Sequence, residues 1–321
     1  MDKSKIDPKI VEQIKKLEDK YEVMGQDLSS YLDGLLYSDY LTYWDYIHHD
    51  TLMSLQTPKT GFKDEMIFIV YHQQTELYFK LVLWELDQIA GMKLGDDQQF
   101  LEKINRINRY FSILEDSFSV MIDGMDRKQF LKFRMSLLPS SGFQSAQYRL
   151  IELSCTDLVN LVNLESRHIY SEGDPVEQLL DNIYWKRGAT ELASGKKTLT
   201  LKQFEAKYSE DFIDHAEEYK KKNLSQLYDR YFQESEIKED IVAALRKLDI
   251  LINVNWPLAH YKSAVRYLQK DPEDVMATGG TNWQKYLPPR FQKVVFFPQL
   301  WSDQEKKEWG KSWVFKEVIE R

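Results

Sequence analysis

The chain has 321 residues with one Cys, six His, 43 basic and 51 acidic side chains, and a formal net charge of −8. A single Cys excludes a disulfide framework, a Cys-rich zinc site and an iron–sulfur cluster, and the acidic balance lacks the basic footprint of a nucleic-acid binder. The 13 Gly and 9 Pro fall well short of the roughly 39 that average usage of about 12% supplies, too few turn residues for a β-sandwich or propeller.

Long helices are expected instead, with 19 Tyr, 16 Phe and 8 Trp to fill a core or line an aromatic pocket. Residues 1–21 carry Lys and Asp/Glu every few positions and have no apolar stretch, so no signal peptide is expected. No apolar run approaches the roughly 18 residues of a membrane span. A soluble, cytoplasmic protein with no membrane partner is the expectation.

Apolar residues recur at helical spacing almost throughout. The clearest run starts after Asp64, a natural N-cap, and continues through Met66, Ile67, Phe68, Val70, Tyr71, Leu77, Leu81, Trp84 and Ile89. Its apolar residues wrap most of the circumference, which predicts a central, buried helix. A second helix is predicted over 97–125. A third spans 126–137, ended by Pro139 and the Ser140-Ser141-Gly142 turn, and a fourth spans 143–162. Charges crowd into 184–240, and residues 185–240 read as an exposed helical excursion with too few apolar residues for a core of their own. A buried helix is predicted over 241–254, broken at Asn255-Trp256-Pro257, with Pro257 opening a further helix over 257–269. A Thr278-Gly279-Gly280 loop and a turn at Pro288-Pro289 follow. Length alone suggests about two domains, but the pattern favours one all-α domain over 1–321.

The histidines are few enough to weigh singly. His72 has Phe68 one turn before it and Glu76 one turn after, so the three share a stripe. That suits a core histidine bonded to Glu76, and equally a pair of metal ligands. His260 stands on an apolar helix with no carboxylate or cysteine nearby in sequence. Such a residue suits a single axial bond to haem iron, and also describes an ordinary buried histidine. His48 and His49 are neighbours, which a helix would aim about 100° apart, so at least one is expected to be solvated. His168 closes Glu165-Ser166-Arg167-His168, one Glu-x-x-His where a di-iron bundle needs two and further glutamates. Asp45-Tyr46-Ile47-His48 is at best a degenerate second. His215, among Asp211, Asp214, Glu217 and Glu218, is expected at the solvated surface. Neither a phosphate-cradling glycine loop nor a nucleophile elbow occurs.

Several blocks taken in order resemble the tryptophan 2,3-dioxygenase family. They are Leu36-Tyr37-Ser38-Asp39-Tyr40-Leu41; Leu55-Gln56; Asp64-Glu65-Met66-Ile67-Phe68-Ile69-Val70-Tyr71-His72-Gln73; and Glu76-Leu77-Tyr78-Phe79-Lys80. Next come Phe130-Leu131-Lys132-Phe133-Arg134, Ser140-Ser141-Gly142-Phe143-Gln144-Ser145 and Gln147-Tyr148-Arg149. Last are Trp256, His260, Arg266 and Thr278-Gly279-Gly280.

The resemblance implies a helical bundle of the tryptophan/indoleamine dioxygenase type that carries haem b. It further implies a reaction that adds both atoms of O₂ across the indole C2–C3 bond of L-tryptophan to give N-formylkynurenine. His260 would be the axial iron ligand, with Ser141, Trp256 and Gly279 around the cofactor. His72 would face the substrate as the catalytic histidine, with Phe68 and Phe130 against the indole and Arg134 and Thr278 on the amino-acid end. The family's usual homotetramer would place residues 1–60 against a neighbouring subunit, with Tyr37 and Tyr40 in its site. This chain departs from the family pattern at Pro257, where Arg is usual, at Tyr78 in place of Trp, and in a longer stretch between His260 and Thr278. A haem enzyme that monooxygenates an indole is the nearer rival, and a helical di-iron protein the more distant one.

Overall fold

The computed structural model describes residues 6–38, 42–92, 95–137, 142–190, 196–268 and 288–311. The chain is all-α, as the turn-poor composition predicts, and among the described residues β-pairing is confined to two isolated bridges, Val162 with Ile183 and Thr190 with Lys197. It divides into two compact units, Met1–Leu55 and Gln56–Arg321.

The first unit holds α1 (Pro8–Val23), α2 (Leu28–Tyr37) and the short α3 (Tyr43–Tyr46) and α4 (His49–Met53). Pro8 opens α1 where a missing N–H costs nothing, and the Asp7 side chain accepts from Lys9 N. Asp27 caps α2 in the same way, accepting from Ser29 N and Ser30 N. None of these four helices buries a residue, and the Tyr21 and Tyr31 rings pack at 4.2 Å between α1 and α2.

The second unit is organised by two long helices, α5 (Glu65–Ala90) and α6 (Asp97–Asp123). Residue pairs across their seam run in opposite directions: Lys103 bonds Glu85, Phe111 meets Phe79, and Phe118 meets Tyr71. The helices are therefore antiparallel. Asp64 does sit at the N-cap of α5, but its side chain makes no cap bond there. Its carboxylate instead accepts from Asp126 N at 2.6 Å, joining the start of α5 to that of α7 (Arg127–Phe133).

Three predicted elements are shorter or differently ended than the pattern implied. The 126–137 helix tightens into a 3₁₀ turn, Arg134–Leu137, after α7. The 143–162 helix is reduced to α8 (Ala146–Cys155), capped by Ser145 and stopped by the extended backbone of Thr156. The predicted break near Trp256 does not occur. α13 (Lys238–Ile250) passes through one π turn, Leu251–Asn255, into α14 (Trp256–Leu268). Pro257 has no N–H for the carbonyl four residues back, and the wider turn just before it lets the rod continue. The Ile252 carbonyl in that turn accepts from Tyr148 Oη at 3.2 Å.

The charged stretch at 185–240 is helical but not an exposed arm. After the short α9 (Val176–Asp181) and α10 (Tyr184–Gly188), α11 (Leu199–Tyr219) and α12 (Leu224–Tyr231) bury Leu201, Phe204, Phe212, Leu224 and Tyr228 in the same core cluster as Phe79, Ile104 and Ile151. The charges lie on the outer faces. Apolar residues on one face were diluted in sequence by charged ones on the other.

A buried carboxylate fixes the chain after α14. Asp249 has no exposed surface and accepts from Phe296 N, Phe297 N, Asn253 Nδ2 and Trp301 Nε1 at 2.8–3.2 Å. Burial raises its pKa to about 6, against the opposing pull of these donors. Asp249→Asn must turn an NH₂ toward one set of donors, leaving a buried N–H unpaired at about 1–3 kcal/mol per group. The expected loss of about 3 kcal/mol is checked by urea unfolding at pH 7, and an unchanged midpoint would refute it.

Candidate active site

The cluster around His72 and His260 is set by where α5, α6, α7 and α14 meet. Trp256 wedges α14 between its partners, with ring centroids 4.6 Å from Phe118 and 5.7 Å from Phe79. At the other end of α14, Tyr267 Oη donates to the carbonyls of Ile122 and Met125, which close α6. His260 lies between these two anchors. Tyr267 is seven residues on, two turns along the same face.

The His260 imidazole packs 6.1 Å from Phe118, and among the described residues neither ring nitrogen takes part in a hydrogen bond. Burial drives its pKa down to about 4, with smaller contributions from His72 and Arg149. It is neutral at pH 7, with a lone pair available. Gly142 stands beside it: a side-chain carbon there would lie 3.2 Å from Cε1 and 3.8 Å from Nε2. Only glycine leaves that edge of the ring clear.

His72 is held differently from the sequence expectation. Its Nδ1 lies 2.7 Å from the Phe68 carbonyl, one turn back. A carbonyl can only accept, so Nδ1 carries the proton and Nε2 is left as an acceptor. Glu76, the expected partner, instead accepts from Gln147 Nε2 at 2.8 Å and so ties α5 to α8. Burial lowers the His72 pKa, partly countered by the Phe68 carbonyl and Glu76. Accessible surface nevertheless remains on His72, Gly142 and His260. Both side chains thus pack against protein on one side and remain reached by solvent on the other.

Aromatic rings line the adjoining wall. Phe68 lies 4.1 Å from the His72 ring, 6.3 Å from Phe130 and 5.9 Å from Phe133, and Phe130 meets Tyr267 at 4.6 Å. Asp64, by joining α5 to α7, sets the Phe68–Phe130 spacing. Arg134 follows where α7 tightens, buried at 6% exposure, with its pKa lowered by burial. A guanidinium remains charged through such a shift.

The structure thus brings Phe68, His72, Phe130, Arg134, Trp256 and His260 onto neighbouring helices of one unit. Tyr37 ends α2 in the first unit, 89% exposed. Tyr40, Ser141, Thr278 and Gly279 lie outside the described residues. Phe118 and Tyr267 were not singled out from sequence. Tyr267 could have been, from its spacing to His260, whereas Phe118 is one of many apolar residues on α6. The expected surface position of His215 is corrected: it is half-buried, bonded to Ser154 Oγ at 2.7 Å and stacked on Tyr219. The di-iron alternative finds no support, since His168 is exposed and Glu165 pairs with Arg187. Among the described residues no three His, Cys, Asp or Glu side chains converge as a metal site.

Comparison with known proteins identifies the class. The profile described as tryptophan 2,3-dioxygenase matches residues 30–266, and the chain belongs to that family. A tryptophan 2,3-dioxygenase of Ruegeria sp. (strain TM1040) is 39% identical over 117 residues, covering 36% of this chain and 42% of that protein. The Xenopus laevis protein of the same name is 40% identical over 147 residues, covering 42% of this chain and 35% of its own. The matched stretch is thus less than half the length of either relative. The Bacillus thuringiensis subsp. konkukian (strain 97-27) protein of that name aligns over 84% of this chain and 94% of its own, at 26% identity.

A depressed histidine pKa makes a signed prediction. His260 contributes stability that is present above the unfolded value near 6.5 and is lost as pH falls toward about 4. The ceiling is about 3 kcal/mol, reduced by the solvent that reaches the ring. Unfolding of the cofactor-free chain against that of His260→Gln, measured from pH 7 to 4, should show the variant losing less. Parallel curves would refute a neutral, buried His260.

Proposed function

We propose that this protein is a haem-dependent tryptophan 2,3-dioxygenase that converts L-tryptophan and O₂ to N-formylkynurenine. The observation that carries this reading is a pair of neighbouring imidazoles, His260 with no hydrogen bond among the described residues and His72 with its Nδ1 proton on the Phe68 carbonyl, in a chain of this family.

The donor set fits haem b. A neutral imidazole is the form that ligates iron, and Gly142 keeps a side chain away from Nε2. His260 would hold the iron, with Trp256 at the head of its helix and Ser141 and Gly279 near the cofactor. When bound, the haem supplies the O₂ activation that no side chain here can provide.

The chain's own groups bind and orient. The His72 acceptor nitrogen takes the indole N–H and so fixes which way the ring lies. Phe68 and Phe130 give it aromatic contacts worth about 0.5–1.5 kcal/mol per pair. The planar fork of Arg134 holds the carboxylate bidentately, as Lys could not, and Thr278 would add its hydroxyl to the amino-acid end. Arg134 is buried and the two phenylalanines are half-buried, which limits the water at that end.

The reading includes a homotetramer in which residues 1–60 serve a neighbour's site through Tyr37 and Tyr40. Its support is the first unit, whose helices bury nothing and leave Tyr37 exposed. It also includes a cytoplasmic setting, supported by a lone, buried Cys155; no helix among the described residues is long and apolar enough to cross a membrane.

The test is haem-reconstituted turnover of L-tryptophan under ¹⁸O₂. Two labelled atoms in the product support dioxygenation, and one would establish the monooxygenase instead. No Soret band after haem is supplied would end the haem reading. His260→Ala should lose the cofactor, while His72→Ala should weaken turnover with haem and substrate still bound. Arg134→Lys should raise KM for L-tryptophan by roughly 10-fold or more, equivalent to about 1.5–3 kcal/mol for a charge-assisted bond. An unchanged KM would remove Arg134 from the substrate.

A further inference from the structure

The helix that carries His260 leaves one of its own carbonyls without a donor. In the π turn Leu251–Asn255, the Trp256 N–H bonds the Leu251 carbonyl, five residues back. That amide is the donor an α-helix would give to the Ile252 carbonyl, four residues back. The next amide along belongs to Pro257, five residues after Ile252, which has no N–H. Neither winding therefore serves Ile252, and the residue has no exposed surface through which water could do so. A buried carbonyl left in that state is costly.

Another helix supplies the missing donor. Tyr148, on α8, is buried, and its Oη donates to the Ile252 carbonyl at 3.2 Å. Burial pushes the phenol pKa well up, with Tyr184 and Glu152 adding to the shift, so the O–H keeps its proton. The ring packs 5.4 Å from Phe79, which itself meets Trp256 at 5.7 Å. Tyr148 thus bears on the head of α14 twice, through the carbonyl four residues before Trp256 and through Phe79 against the Trp256 ring. From Trp256 to His260 is a single turn within α14.

We infer that Tyr148 is a positioning residue for His260: its hydroxyl stands in for the N–H that Pro257 lacks and so fixes how α14 leaves the π turn. Phenylalanine fills the same space but cannot donate. Tyr148 and Pro257 are therefore coupled. An ordinary residue at 257 brings an N–H of the chain's own to that point, and the hydroxyl then matters less. This inference rests on the haem reading for its functional consequence, but not for the geometry.

The test compares Tyr148→Phe, Pro257→Ala and the two combined, with Phe100→Leu as a control. Phe100, near the start of α6, stacks on Phe232 at 3.9 Å, far along that helix from the Phe118 that meets Trp256. Two readouts are taken. One is transfer of haem from each loaded protein to an excess of a haem-free globin. The other is the His260 resonance of the cofactor-free protein labelled at histidine, assigned by its loss in His260→Gln. Removing a group that orients a metal ligand typically costs about 10–100-fold in metal affinity. Tyr148 acts through the helix, so Tyr148→Phe should release haem roughly 10-fold faster, the low end of that range, and shift the His260 resonance. Added to Pro257→Ala, the same substitution should change both readouts much less, and Phe100→Leu at a similar melting temperature should change neither. Equal effects of Tyr148→Phe with and without Pro257→Ala overturn the inference. So does an unmoved His260 resonance, or haem loss that tracks melting temperature alike in all variants. If Tyr148→Phe alone does not fold, the combined variant still should, and its failure to fold overturns the inference as well. If the unaltered protein takes up no haem, the haem reading falls, and the resonance still decides on Tyr148.

Discussion

The antiparallel seam of α5 and α6 is the constraint on which the site depends. Tyr71, Phe79, Phe111 and Phe118 interlock along it, and Trp256 enters the same layer from α14. Because these are large rings in close-packed surroundings, small displacements of one helix are resisted by the others. That stiffness lets two histidines on different helices, 188 positions apart in sequence, stand close enough for His72 to weigh on the charge of His260. It also favours their neutral forms: burial disfavours the imidazolium, and at His72 the Phe68 carbonyl and Glu76 offset only part of that.

Polar groups complete what the rings begin. Asp64 joins α5 to α7, Gln147 joins α8 to α5 through Glu76, and Tyr267 closes α6 from α14. Each bond ties a helix that carries a site residue to a neighbour. Asp249 does the same for the segment after α14, gathering two backbone amides and an indole N–H on one carboxylate. The buried polar residues are therefore concentrated where helices must keep a fixed register, and the apolar cluster supplies the bulk of the packing.

Sequence periodicity revealed the α5 and α6 helices almost to the residue, but α5 is not buried all round as its apolar circumference implied, since Met66, Val70, Leu77, Leu81 and Trp84 are exposed. It failed where two faces were averaged, as in α11, whose inner phenylalanines are diluted by charges outside. It failed again at Pro257, where a general rule about proline predicted a break and a local change of helix type made one unnecessary. For the site, spacing placed Phe68, His72 and Glu76 on one stripe but paired the wrong two, since a backbone carbonyl competes for Nδ1 and α8 competes for Glu76. Arg149 is visible in sequence only as one residue of a family-like block. Its Glu152 partner is an ordinary helical neighbour three residues on, but the Phe143 carbonyl that it also bonds lies outside the helix and no periodicity displays it.

The π turn at Leu251–Asn255 has a consequence for how this chain can change. A turn with five-apart partners holds one residue more than the α-helix it interrupts. Removing one residue from within it would restore ordinary winding and leave the downstream faces close to where they are. Removing one from the α-helical winding of α13 would instead rotate everything downstream by about 100°. Trp256 would leave its aromatic layer and His260 would face another side of the bundle, although not one of their own atoms had been altered. Outside the π turn, the spacing that leads to His260 is therefore a counted distance, one that tolerates substitution far better than insertion or deletion.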